Sequence, residues 1–186
     1  MCAMEAPLVY RLALARQDKG DDHGDTLEAM CDLARMLQQE GKYREAEALR
    51  REELERWQRL CGEDHPNTIA SIGDLASVLM QQGQYDEALP LSLRALEGQR
   101  RVRGPEHEET ITSANNHATL LSRMGKHRDA EALYRSTLII ARRVLGSEHR
   151  TTLTNICGCA QSLKDLGRFD ECEPRCVVGT RPRRCW

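Results

Sequence analysis

The chain has 186 residues, and its 27 basic and 29 acidic side chains give a formal net charge of −2, which argues against a dedicated nucleic-acid surface. Aromatic residues are only 4% of the chain, too few for the core of a β-sandwich or barrel. No apolar run approaches the roughly 20 residues of a membrane span. The N-terminus, with Glu5 and Pro7, is unlike a secretory signal. The composition therefore predicts a helical protein, and we expect it to be soluble and cytoplasmic.

A single period runs through the whole sequence. Histidines recur 42 residues apart, at His23, His65, His107 and His149. Three further sets share this spacing: Thr26, Thr68, Thr110 and Thr152; Gly41, Gly83, Gly125 and Gly167; and Ala34, Ala76, Ala118 and Ala160. Four residue types in one register identify a tandem repeat.

The predicted elements follow this period in chain order. Residues 1–19 form the second helix of a preceding partial repeat, because Leu12 is in register with Leu54, Leu96 and Leu138. Three repeats follow, at 20–61, 62–103 and 104–145. A truncated fourth repeat covers 146–178, and 179–186 is a basic tail that we expect to be disordered.

Each repeat is predicted to contain two helices. In the second repeat, the first helix covers 67–82, with apolar residues spaced three and four positions apart. Gly83 ends it, and a second helix runs from Tyr85 to Val102 around Ala88. The two helices form an antiparallel hairpin, and a hairpin hides both apolar faces only by stacking on its neighbours. The predicted fold is an all-α solenoid.

Several positions are expected to define the repeat structurally. We interpret the histidine before Pro66 as a helix N-cap rather than a metal ligand, because successive hairpins hold these side chains too far apart to share an ion. Small residues let the helix axes approach, and an aromatic position opens the second helix at Tyr43, Tyr85, His127 and Phe169. The structural set is His65, Gly83, Tyr85, Ala88, Gly125 and Ala130.

These motifs resemble a known family. The segments Gly62–Thr68, Leu75–Ala76 and Gly83–Ala88 are similar to tetratricopeptide repeats, and the 42-residue period resembles the kinesin light chain subclass. The resemblance implies a right-handed superhelix whose first helices line a concave groove for peptide segments of partner proteins. The sequence lacks the long heptad segment that joins a kinesin light chain to its heavy chain.

In the resembling family, one face of each first helix points into the groove, and an asparagine at the position of Asn116 binds the backbone of the ligand. Asp32 and Asp74 would favour a basic partner segment, whereas Arg35 and Arg123 oppose that preference. The alternative for each residue is a merely solvated position. The candidate groove residues are Asp32, Arg35, Asp74, Ser77, Asn115, Asn116 and Thr119.

Other chemistry finds little support in the sequence. Neither GxGxxG nor GxxxxGK[ST] occurs, and no thiol has an identifiable base, so we expect no enzyme activity and no cofactor. Zinc at Cys157, Cys159, Cys172 and Cys176 is the weaker alternative, because Cys159 and Cys172 align with core positions. Two further hypotheses are a regulatory repeat fragment of a larger signalling NTPase or other enzyme, and self-association through uncapped array ends.

Overall fold

The computed structural model describes residues 5–171, and this part of the chain is helical, without a β-strand. The helices follow one another through short turns, as the repeat predicts, and a 3₁₀ turn at Phe169–Glu171 ends the described range. The α-helices are α1 (Glu5–Lys19), α2 (Gly24–Gln39), α3 (Tyr43–Cys61), α4 (Pro66–Gln81), α5 (Tyr85–Arg103), α6 (Glu108–Arg123), α7 (His127–Val144) and α8 (Arg150–Asp165).

The chain divides into two compact units, Met1–Ala95 and Leu96–Trp186, with the boundary inside α5. In the first unit, α1 packs on α2, α2 on α3, and α3 on α4. In the second unit, α6 packs on α7, α7 on α8, and the two first helices α6 and α8 also touch. Within each unit, helices that are neighbours in sequence are neighbours in space. The expected remainder of the fourth repeat and the basic tail lie outside the described residues.

Histidine begins each first helix, as predicted for His65. The Nδ1 atom of His65 accepts a hydrogen bond from the backbone N–H of Asn67 at 3.2 Å, and Pro66 occupies the first helical position, where its missing N–H costs nothing. His23, His107 and His149 cap α2, α6 and α8 in the same way. The histidine register therefore has a capping role.

Glycine ends the helices in a left-handed conformation. Gly83 has φ of 79°, and the next residue, Gln84, donates its N–H to the carbonyl of Leu79 at 2.9 Å, which closes the end of α4. Gly41, Gly125 and Gly167 share this geometry. The helix α4 ends at Gln81, one residue before the end that the sequence predicts.

Three of the four threonines in register, for which the sequence offered no role, secure the turns between repeats. The hydroxyl of Thr68 donates a hydrogen bond to the carbonyl of Gly62 at 2.7 Å, and Thr110 does the same to Gly104. Thr26 and Gly20 form the third such pair. Each hydroxyl satisfies a turn carbonyl that the adjacent helices leave without a partner.

Leucine and alanine are the most frequent core residues of both units. Ala46, Ala88 and Ala130 have no exposed surface, which agrees with their predicted role at helix contacts. Leu12 and the three leucines in register with it are all buried. The aromatic position is more varied than expected: Tyr43 packs against the core of the first unit, whereas Phe169 is 64% exposed and does not fill a core. Among the described helices, none combines the length and apolar character needed to cross a bilayer.

Candidate functional site

The structure places the predicted groove residues on first helices of both units. Asp32 and Arg35 lie on α2, and Asp74 and Ser77 lie on α4, all at least partly exposed in the first unit. In the second unit, α6 carries the remaining three predicted residues: Asn115, Asn116 and Thr119. The two groups therefore have to be considered separately.

A cavity of about 330 Å³ opens between α2 and α4 in the first unit, with α3 behind it. We call it the α2–α4 cavity. Its walls combine apolar groups with carboxylates and contain no basic side chain. The lining residues are Gly24, Leu27, Glu28, Cys31, Glu53, Trp57, Asn67, Ala70, Ser71 and Asp74.

A guanidinium group lies beneath the carboxylates of this cavity. Arg50, only 2% exposed, donates hydrogen bonds from Nη1 to Glu53 at 2.8 Å and lies 2.9 Å from Asp74. Its Nη1 also lies 3.3 Å from the thiol of Cys31, and Ser71 donates to Glu53 at 3.2 Å. One cation thus holds two carboxylates together, one from its own helix and one from α4.

The environment changes the ionisation of these groups. Burial opposes the charge of Arg50, but the carboxylates of Asp74 and Glu53 outweigh burial and raise the pKa of Arg50 above its ordinary value. Burial raises the pKa of Glu53, and the charge of Arg50 offsets this only partly. A single guanidinium that serves two carboxylates leaves negative charge in excess at the back of the cavity.

Trp57 supplies the aromatic wall of the cavity. Its ring stacks on the ring of His65, with centroids 6.0 Å apart and planes inclined by 13°. Trp57 has no counterpart in the other repeats, and the repeat pattern alone gave it no role. The stacking fixes the indole at the wall of the cavity.

Asp32 lies outside the cavity, in a chain of ion pairs. Arg11 of α1 donates to Asp32 at 2.7 Å and lies 3.7 Å from Glu28, and Arg35 approaches Asp32 to 3.6 Å. The carboxylate of Asp32 is therefore already shared between two arginines.

In the second unit, the crevice equivalent to the α2–α4 cavity is closed by side chains. Asn155 of α8 donates to the side-chain oxygen of Asn115 at 2.6 Å, and Asn115 donates to the carbonyl of Thr151 at 3.3 Å. Asn115 is 4% exposed, so its amide joins α6 to α8 and is not accessible to a peptide. Of the predicted asparagine pair, only Asn116 faces outward.

Tyr134 of α7 fills the remaining space of that crevice. Its hydroxyl lies 2.6 Å from the hydroxyl of Thr119, which also donates to the carbonyl of Asn115 at 2.8 Å. A Cβ at Gly158 would lie within 3.0 Å of the tyrosine ring. Burial raises the pKa of Tyr134. The Thr119 hydroxyl thus has partners within the protein, and position 158 of α8 accommodates the ring because it has no side chain.

The described residues contain no cluster of three or more histidine, cysteine or acidic side chains that could hold a metal ion. Cys159 is 2% exposed in the core of the second unit, which confirms its interpretation as a small apolar residue. Cys157 is exposed, and within the described residues neither of these two cysteines is part of a disulfide bond. Cys172 and Cys176 lie outside the described range.

The chain is similar in structure to solved repeat proteins. No curated protein sequence matches the chain significantly. A protein of Podosopora anserina, provisionally named a kinesin light chain with nearly identical TPR-like repeats, has a crystal structure that superposes with a TM-score of 0.77 at 23% identity, over 94% of this chain and 84% of that one. The structure of its Q17M variant superposes with a TM-score of 0.78 at 23% identity, over 94% of this chain and 82% of that one. The crystal structure of BtubC (BKLC) from P. vanneervenii superposes with a TM-score of 0.64 at 20% identity, over 98% of this chain and 94% of that one.

At these identities, the structural likeness shows the fold alone. It is an all-α solenoid of the kind found in kinesin light chain-like repeat proteins. The family model for the tetratricopeptide repeat matches residues 25–79, 70–138 and 114–173, which together are most of the sequence. The chain therefore belongs to the tetratricopeptide repeat family.

Proposed function

We propose that this interaction scaffold binds an extended peptide segment of a partner protein on the outward faces of its first helices, as an adaptor of the kinesin light chain-like type. The fold supports the general role, because tetratricopeptide repeats mediate contacts between proteins. The α2–α4 cavity carries the more specific proposal. It receives one side chain of the peptide, while the main chain runs across the helices.

The size and composition of the cavity suit this task. Its volume of about 330 Å³ accommodates a single large side chain. Trp57 and Ala70 offer apolar surface, and the carboxylates of Glu28 and Asp74 offer hydrogen-bond acceptors. Apolar walls with a few polar groups are typical of ligand sites.

Polar groups outside the cavity can bind the peptide backbone. In the first unit these groups are Arg35 and Ser77. In the second unit, Asn116 is exposed on α6 and can bind a peptide segment at that unit. An asparagine amide presents one donor group and one acceptor, which matches the N–H and C=O of an extended chain. These contacts are independent of the peptide sequence, so the cavity is the source of specificity in this proposal.

A tryptophan at position 70 tests the role of the cavity. Ala70 is exposed and lines the cavity, so Ala70→Trp fills the opening without disturbing the core. The matched control is Ala132→Trp, at an exposed alanine of α7. Peptides selected from a random display library on the wild-type chain should lose binding to Ala70→Trp at least tenfold and bind Ala132→Trp normally. Equal binding to all three proteins would refute the proposal.

A further inference from the structure

We propose that the α2–α4 cavity selects a lysine or arginine side chain of the partner peptide. This inference rests on the proposed function and specifies its ligand.

All charged residues that line the cavity are acidic: Glu28, Glu53 and Asp74. Asp74 and Glu28 remain accessible, with 49% and 69% of their side-chain surface exposed. Arg50 is 2% exposed and lies behind the carboxylates, and Arg11, which lies 3.7 Å from Glu28, is not part of the lining. A ligand that enters the cavity therefore meets carboxylate oxygens and does not reach the guanidinium of Arg50.

The ion pairs around the cavity contain one more carboxylate than guanidinium groups. Four carboxylates belong to the connected cluster, namely Glu28, Asp32, Glu53 and Asp74. Three guanidinium groups face them, those of Arg11, Arg35 and Arg50. A single cationic side chain in the cavity would balance the cluster, whereas an acidic one would add a second unpaired negative charge. Burial makes such an excess costly, because partial removal of water strengthens repulsion between like charges.

The apolar walls suit the stem of a basic side chain. Ala70 and Trp57 line the cavity beside the carboxylates, so methylene groups can pack on them while the charged end meets Asp74 or Glu28. Stacking on His65 holds the ring in place before any ligand arrives.

The second unit provides an internal comparison. At equivalent positions two periods later, Tyr134, Asn115 and Asn155 occupy the crevice. The three acidic residues of the cavity have no acidic counterparts there: Glu28 is replaced by Thr112, Glu53 by Thr137 and Asp74 by Gly158. The acidic cavity is thus a property of the first unit and not of the repeat in general, and the basic residue of the peptide should bind there.

Positional-scanning decapeptide libraries test the selectivity. In each library one central residue is fixed as Lys, Arg, Leu, Phe, Asp or Glu, and the other positions are random. Binding to the full chain is measured by fluorescence anisotropy at low and at moderate salt. The Lys and Arg libraries should bind tightest, and their advantage should shrink as salt rises. Enrichment of Leu or Phe, or of Asp or Glu, would overturn the inference.

Two variants assign this preference to the cavity. Glu28→Gln and Asp74→Asn should each weaken binding of the Lys and Arg libraries about two- to fivefold, the range for a partly exposed ion pair, and leave the Leu library unchanged. Asp86→Asn, at an exposed aspartate of α5, is the matched control. Because Asp74 also binds Arg50, thermal unfolding confirms that each variant is folded, and Glu28, which has only a 3.7 Å contact, serves as the milder test.

The outcomes separate this inference from the proposed function. Equal losses for the basic and the Leu libraries in both variants would refute the charge selectivity and leave peptide binding intact. No binding by any library, or binding that Ala70→Trp does not change, would refute the proposed function itself.

Discussion

The ring of Tyr134 lies directly over Gly158, in the space that a side chain at position 158 would occupy. Two periods earlier, Arg50 and Asp74 hold the equivalent positions and form an ion pair at 2.9 Å. In both units, a residue of a second helix thus contacts the residue 24 positions later, on the next first helix. The pair determines whether the surface between two first helices is open and charged or closed by a ring.

The first prediction concerns Gly158 itself. Gly158→Ala should lower the free energy of unfolding by about 1–3 kcal/mol, because the new methyl group displaces Tyr134 and breaks its bond to Thr119. Gly73→Ala is the control. There the new Cβ meets only the Cβ of Ala95 at an ordinary 3.5 Å, so higher helix propensity should stabilise the chain by about 0.5–1 kcal/mol.

Urea denaturation of both variants measures these opposite signs. Replacing the ring as well, in a Gly158→Ala and Tyr134→Leu double variant, should recover part of the loss, because the methyl group then has room. If Gly158→Ala were as stable as wild type, the ring would have another resting place, and the crevice of the second unit would be open.

Two adjacent asparagines should behave differently. Asn115→Ala removes the acceptor of Asn155 in the interior and should cost about 1–3 kcal/mol of unfolding free energy. Asn116→Ala changes an exposed position and should alter thermal stability little, but it should weaken binding of the peptides selected on the wild-type chain. A similar loss of stability in both variants would show that Asn116 is a structural residue.

The turn glycines provide a test of backbone geometry alone. A Cβ at Gly83 would contact no atom within 4 Å, yet its φ of 79° is unfavourable for any other residue. Gly83→Ala should therefore cost about 1–2 kcal/mol through strain. Gly24, at the start of α2, has equally open surroundings without a positive φ, so Gly24→Ala should be neutral or slightly stabilising. Thermal unfolding of the two variants makes the comparison.

Much of the fold could be predicted from sequence because its determinants are local. The apolar spacing within each helix, the histidine caps and Gly83 all act within a few residues of themselves. The 42-residue period then repeats each of these local patterns several times along the chain, which strengthens the prediction. The helix ends fall within one residue of the prediction in the second repeat, where 67–82 was expected and Pro66–Gln81 is found.

The site was harder to predict because it depends on contacts between repeats. Asn115 and Asn116 are neighbours in sequence, and only the packing of α8 buries one and leaves the other exposed. The position of Trp57 beside the cavity depends on its stacking with His65 of the next repeat. Helical periodicity places a residue on a face, but it does not show which side chain of another helix already covers that face.

The last prediction concerns the pH dependence of stability at Glu53. Burial raises the pKa of its carboxyl in the folded chain, whereas the unfolded chain has an ordinary value near 4.3. Above pH 4.3, and up to the raised value, the folded protein therefore holds more protons than the unfolded protein. Stability contributed by this group is then present at low pH and is lost as pH rises through that window.

Comparison with Glu53→Gln isolates this contribution, since glutamine does not titrate. The difference in unfolding free energy, wild type minus Glu53→Gln, should fall as pH rises above about 4.3 and then level off. Asp74 also makes this difference fall as pH rises. In Glu53→Gln, Asp74 is the one carboxylate of the two that still pairs with Arg50, so its ionised form is better stabilised in the variant than in the wild type. Urea denaturation of both proteins between pH 4 and 8 gives the curve. A difference that rises with pH would mean that attraction to Arg50 outweighs burial, and that the back of the cavity carries no excess of negative charge.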